Sequence, residues 1–363
     1  MKLNTAVLLL VSVSYVYSMG ANDISGCPPL PKRAPPTSVF DLRADDIKVI
    51  AALGDSVTAA LAAVNVGTEY VNPQQFREYR GQSLLMGGDP GAQSLANYIK
   101  YYQNDLVGAS EGVNDARYCP DHLNAAQTGS SSEGLDNQVD YILKYVGRST
   151  RLYDEWKMVN IYIGYNDISA FCLPGKSPQK SGENVFNAIK RLVDNLDKTF
   201  INVLTVEHYN QLITIPYDHP GYVKPFRDGT NIRSYECICC SKEDVSTMGQ
   251  QVDEYNSELS KAVDRANDYI SDDLIGSLLE STGLKQRKNV AVALQPLDLN
   301  KNSVPYDSFS NLDGFHPNLK THKFASRLLW RQMYYKRQDK LSAQNFDEEF
   351  PVYCPTAEDR FQA

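Results

Sequence analysis

The chain has 363 residues, 42% hydrophobic and 22% charged, with a formal net charge of −8. This is ordinary globular composition with enough apolar material for a large core, as one large domain or two smaller ones. The acidic balance, without any basic cluster, argues against nucleic acid as a partner, since phosphate binding needs concentrated Lys and Arg.

In chain order, MKLNTAVLLLVSVSYVYSMG opens with Lys2, an apolar run from Ala6 to about Val16, and small residues at Ser18 and Gly20. It reads as a secretory signal peptide over residues 1–18, cut after Ser18. The apolar run is well short of the roughly 20 residues a membrane span needs. No apolar tail closes the sequence, so no C-terminal anchor is expected, and the mature protein is expected to be secreted. No Asn-x-Ser/Thr sequon occurs, so N-glycosylation is not expected. Seven cysteines lie beyond the signal: Cys27, Cys119, Cys172, Cys237, Cys239, Cys240 and Cys354. In a secreted chain these read as disulfides. YECICC lacks the nearby Cys or His pair that a zinc site would need.

A Pro-rich lead-in occupies residues 19–40, one domain 41–340 and a tail 341–363. KVIAALG reads as a strand buried on both faces, and SVTAALAAV after it as a helix. Between them stand Asp55 and Ser56. Further strands are expected at HLNAAQT (122–128), VNIYIGYND (159–167), FINVLTV (200–206) and NVAVALQPL (289–297). Helical patterns separate them at 94–106, 135–147, 184–200 and 251–270, and another starts near Leu319. Strands alternating with amphipathic helices imply an α/β fold, a parallel sheet covered on both faces. Sites in such sheets lie at the carboxyl ends of the strands, where Ser56, Gly129 and Asn166 fall. The segment 217–243, which carries YECICC, reads as an excursion from the core.

Near the end, DGFHPNLKTHKFASRLLW puts Asp313 and His316 three apart in a turn. The order Ser, Asp, His is that of α/β hydrolytic enzymes, although the G-x-S-x-G elbow is missing. Each motif is weak alone: Gly-Asp-Ser arises by chance in about one chain in ten of this length. An N-cap at Ser56, a capped turn at Asp313, a strand-end glycine at Gly129 and a loop residue at Asn166 are the bland alternatives. Four motifs in order at strand ends favour a catalytic site.

These residues carry a resemblance. IKVIAALGDSVTA, EYRGQSLLMGGD (78–89), LNAAQTGSSSEGLDNQV (123–139), EWKMVNIYIGYNDISAFC (155–172) and DGFHPNLKTHKFASRLLW (313–330) resemble the blocks of GDSL-type SGNH hydrolases, and within them the phospholipase B-like lipases of animals. The resemblance implies a three-layer, flavodoxin-like α/β/α sandwich with about five parallel strands. It implies Ser56 as nucleophile, His316 as general base and acid, and Asp313 as its orienting carboxylate. The oxyanion hole would use the N–H groups of Ser56 and Gly129 and the Asn166 amide. Asp55 and Gly164 are assigned structural roles in their turns. No metal or cofactor is expected. The expected partners are a phospholipid, lysophospholipid or other lipid ester and, transiently, a membrane or micelle surface; a monomer is expected. The alternatives are a small-ester or carbohydrate deacetylase on the same fold, and a non-catalytic lipid-binding protein. Two departures stand out: the Ala-rich GDSVTAALAA, whose extra methyls would narrow an acyl entrance, and GYND, where Tyr165 would alter specificity. Cys172 is expected to bond one of Cys237, Cys239 or Cys240, and Cys27 to bond Cys354.

Overall fold

The computed structural model describes residues 20–116, 121–208, 219, 221–239, 245–271, 289–297, 299–340 and 344–363. The expected signal peptide, Cys119 and Cys240 lie outside the described residues.

Four strands form the central sheet in the order β1 (Val49–Gly54), β2 (Lys157–Tyr162), β3 (Thr199–Leu204) and β4 (Val290–Gln295), every pair parallel. Their runs of small and β-branched apolar residues suit burial on both faces, and β1, β2 and β3 are buried at every position. A buried amide chain crosses the sheet: Gln295 Nε2 donates to Asn202 Oδ1 at 2.8 Å and Asn202 Nδ2 to Asn160 Oδ1 at 2.9 Å.

The stretch expected as a strand at 122–128 is not a regular strand. It shares the outer edge of β1 with an earlier piece of chain. Val107 pairs with Val49, and Asn124 with Ala52, each as an isolated parallel bridge. Leu123 N–H donates to the Gly108 carbonyl, where one piece hands over to the other. The ladder still continues to the tip of β1, where Gln127 N–H donates to the Gly54 carbonyl. Counting this composite edge as the second in sequence, the order reverses beside β1, which makes its carboxyl end the topological switch point.

Helices α1 (Leu95–Tyr102) and α6 (Leu319–Gln332) pack together as one layer. Helices α2 (Leu135–Val146), α4 (Pro178–Asn195) and α5 (Val245–Ser271) form the other; between α2 and α4 comes the short α3 (Tyr165–Ser169). The sequence placed α4 over 184–200. It begins earlier because Ser177 caps it, accepting from Lys180 N–H, with Pro178 at its first position. It ends at Asn195 because Thr199 is claimed by β3. The lead-in and the tail join the core. Gly20–Ala21 pairs antiparallel with Val352–Tyr353, Cys27 bonds Cys354, and Phe361 is buried against Phe200 and Trp330.

The expected helix after Ser56 does not form. One turn closes (Ala59 N–H to Asp55 O), and the chain then leaves the helical path, with φ of 55° at both Ala60 and Ala62. Leu61 pairs antiparallel with Glu78, Ala62 N–H donates to Arg77 O and Tyr79 N–H to Ala60 O. Helix propensity amounts to a few tenths of a kcal/mol per residue. These non-local backbone bonds and the packing of Leu61 and Ala62 against Val71 and Leu312 outweigh it. Ala60, Ala62 and Ala63 are buried, so their methyls fill the interior rather than narrow an open entrance.

Candidate active site

The carboxyl end of β1 is clamped before the chain turns. From α2, Gln138 Nε2 donates to the Gly54 carbonyl at 2.9 Å, while Gly54 N–H donates to Gln138 Oε1 at 2.8 Å. Thr58 Oγ1 donates to the Tyr162 carbonyl at 3.1 Å. Ser56 is held between these two ties, 7% exposed. Asp55 is fully buried. Its Oδ1 accepts from Val57 N–H at 3.0 Å, and the backbone of Gly164 lies nearby. Burial pushes its carboxyl up to about 7, against the Val57 N–H bond and the nearby His316.

Across the cleft, the turn before α6 presents Asp313 and His316. Asp313 Oδ1 accepts from the N–H groups of Phe315 (2.9 Å) and His316 (3.0 Å), which closes the turn. Its other oxygen lies 2.8 Å from His316 Nδ1, and His316 Nε2 lies 2.8 Å from Ser56 Oγ. The turn is anchored below by Asn318, whose amide donates to the Asp307 and Phe309 carbonyls. Burial works to lower the His316 pKa, but the carboxylate of Asp313, helped by Glu236 and Asp55, wins and raises it to about 9.

Gly129 has a φ of 81°, where a side chain would be strained, and open space where its Cβ would stand. Neither its N–H nor that of Ser56 donates to another group among the described residues. Asn166 Nδ2 donates to the Ser130 carbonyl at 2.9 Å, bringing α3 against the Gly129 loop. Gly164, at φ 142°, lets Tyr255 of α5 approach. A Cβ there would lie 2.5 Å from that ring, whose hydroxyl donates to the Ile163 carbonyl. Tyr165 is buried, its hydroxyl 2.9 Å from that of Tyr162 and its ring edge-on to Phe315; with Val57, Phe309, Phe315 and Pro317 it lines a small cavity beside the histidine turn.

Several supporting residues were not singled out from the sequence. Asp167 accepts from Ser132 N–H (2.8 Å), Ser132 Oγ (2.6 Å) and Ser181 Oγ (2.9 Å), tying α3 to α4 and to the loop after Gly129. Glu78 and Arg80 form a wholly buried ion pair at 2.8 Å. Arg80 also donates to the carbonyls of Asn124 and Ala126, and Thr128 donates to Glu78, so the pair shapes the approach to Gly129. Both charges stand inside EYRG, and Asp167 inside GYND; a buried charge in a recurrent block was the available signal.

The excursion folds back onto the site. Cys239 is disulfide-bonded to Cys172, as expected, and its N–H donates to the Ser169 carbonyl at the end of α3. Cys237 is disulfide-bonded as well. Just before it, the helical turn Arg233–Glu236 ends in half-buried Glu236. One oxygen each of Glu236 and Asp313 and a ring nitrogen of His316 lie within 4.8 Å of one another. Among the described residues this is the one set of acidic, His or Cys groups close enough to share an ion, and two of its members are already hydrogen-bonded to each other.

Residues 50–329 match the model of the GDSL-like lipase/acylhydrolase family. The chain belongs to this family. It is 31% identical over 338 residues to the membrane-associated phospholipase B1 of Mus musculus, 29% over 339 residues to that of Homo sapiens and 28% over 338 residues to that of Rattus norvegicus. Each alignment covers 90% of this chain but 22% of the relative, so the chain spans about a fifth of the length of the proteins it matches. The parallel sheet flanked by helices is the α/β/α architecture expected for such a hydrolase.

Proposed function

We propose that this chain is a secreted serine esterase that hydrolyses lipid esters, phospholipids or lysophospholipids above all. The observation that carries the reading is the unbroken chain Ser56 Oγ–His316–Asp313, with two contacts of 2.8 Å, beside the N–H groups of Ser56 and Gly129, which donate to no other group among the described residues. Neutral His316 takes the Ser56 proton as Oγ attacks the ester carbonyl, and Asp313 stabilises the imidazolium that forms. The tetrahedral oxyanion is held by the N–H groups of Ser56 and Gly129 and the second amide hydrogen of Asn166. The imidazolium then protonates the leaving alcohol, and water returns by the same path to free the acid. Each chemical role is filled by a side chain or backbone group of the chain itself. The apolar N-terminal run and the disulfides support secretion, and the likeness to phospholipase B1 supports a lipid substrate. Among the described residues no helix is long and apolar enough to cross a membrane, and contact with a membrane or micelle is proposed as transient.

The test is fluorophosphonate labelling followed by peptide mapping, with hydrolysis of lysophosphatidylcholine as the assay. Label is expected on Ser56, and Ser56→Ala is expected to abolish both labelling and hydrolysis while thermal unfolding is retained. Full activity in Ser56→Ala, or hydrolysis stopped by chelator and restored by calcium, would overturn the mechanism. Turnover of acetylated sugars in preference to lipid esters would move the substrate to the small-ester class.

A further inference from the structure

Glu236 stands where a structural carboxylate has no reason to be. It is half-buried, yet among the described residues it accepts no hydrogen bond and makes no salt bridge to Lys or Arg. A carboxylate removed from water without a donor is costly unless some other charge answers it. The group it faces is His316, with Asp313 alongside. It is held there by the Cys172–Cys239 bond and the Cys239-to-Ser169 contact, which fix the excursion to α3. The helix that supplies Asn166 and the segment that supplies Glu236 are thus one tied unit.

We propose that Glu236 is a positioning residue for His316, a second carboxylate that stabilises the imidazolium formed during acyl transfer. This rests on the reading of Ser56, His316 and Asp313 as the acyl-transfer groups. Among the described residues, the other charged or titratable groups facing His316 are accounted for. Asp313, from its own turn, is occupied with Nδ1 and two backbone N–H groups. Asp55, from the end of β1, is engaged by Val57 N–H. His322, from α6, is fully buried, accepts from Leu84 N–H through Nδ1, and is held neutral because burial lowers its pKa to about 3. Glu236 itself is raised to about 7 by burial, against the pull of His316. It is therefore charged through the range in which His316 loses its proton.

Removing that charge makes His316 a weaker base. The midpoint of the rising limb should fall, by about one unit for a charge at this range. The fully deprotonated enzyme should then be slower, by about threefold, because only part of a base's strength is expressed in the transition state. The two effects cross. At pH 7.5–8, Glu236→Gln should hydrolyse a soluble 4-nitrophenyl ester about twofold faster than the parent, and near pH 10 about threefold slower. Below neutrality, where Glu236 takes up a proton in the parent, the curves should converge. A purely structural role would lower activity at every pH and produce no crossing. Glu236→Asp keeps the charge and should keep the parent midpoint. As a second measurement independent of turnover, NMR titration of His316 in Ser56→Ala and in Ser56→Ala/Glu236→Gln should show the same downward displacement. An unchanged midpoint in both measurements, or equal shifts for Asp and Gln, would overturn the role of Glu236 while fluorophosphonate labelling of Ser56 stood. Loss of that labelling in the parent would instead remove the reading on which the inference rests.

Discussion

At the scale of single residues, the candidate site sets two buried ionisable groups, His316 and Asp55, to different tasks by their surroundings. His316 is raised by its carboxylate neighbours, so the proposed mechanism gives activity that climbs with pH through a midpoint well above the 6.5 of a free imidazole. A pH series on a soluble ester reads that midpoint; one below 6.5 would contradict the geometry. Asp55 is the opposite case, a carboxyl whose charge the fold penalises. Its pKa rises from 3.8 to about 7 on folding, so its contribution to stability is complete below about pH 4 and is lost as pH rises through 7. Asp55→Asn retains the oxygen that accepts from Val57 and cannot ionise. The difference in melting temperature, variant minus parent, should therefore grow between pH 4 and 7 and then level off; a gap that shrinks over that interval would reverse the assignment. Asn166 is assigned one amide hydrogen to Ser130 and one to the oxyanion. Asn166→Ala should lower kcat by about 10²- to 10³-fold with little change in KM, and a large KM effect at constant kcat would mark a substrate-binding role instead.

At the scale of elements, the strands were legible because burial on both faces leaves a local trace: short β-branched runs ending in Gly or Asn. The turn Asp313–His316 was legible for a similar reason, since Gly314 and Pro317 mark it. The segment after Ser56 was not. Its alanines predict a helix, whereas its conformation is dictated by a partner some 17 residues away, Glu78 opposite Leu61. Glu236 was equally hidden, because 80 residues separate it from His316 and only tertiary ties, the Cys172–Cys239 bond and hydrogen bonds such as Lys224 N–H to the Asn311 carbonyl, bring them together. The hairpin-like pairing beside Ser56 also carries the Glu78–Arg80 pair, which makes it more than a strut. Truncating Arg80 would leave the Glu78 charge buried without its counter-charge, a loss of about 3–5 kcal/mol. Arg80→Met should lower the urea midpoint accordingly, and Glu78→Gln/Arg80→Met should recover part of it. If the double variant were no more stable than the single, the buried charge would not be the cause.

At the scale of the whole molecule, the sheet places the candidate site at its switch point, and the first and last described segments pair with each other. Cys27 and Cys354 are 327 residues apart in sequence and 5.2 Å apart at Cα. Closing so long a loop restricts the unfolded chain, a stabilisation of about 2–5 kcal/mol. Cys27→Ser/Cys354→Ser should unfold at lower temperature yet hydrolyse ester at the parent rate at 25 °C, because neither residue reaches the site; an equal melting temperature would show that the bond is dispensable. The same staple has a mechanical meaning. Tension that enters the polypeptide ahead of Cys27 and leaves beyond Cys354 runs through the sulfur–sulfur bond and bypasses everything between. Strung in a longer chain under load, the hydrolase would hang from the line of force as a closed loop, its parallel strands unstretched and its serine, histidine and aspartate no farther apart than at rest.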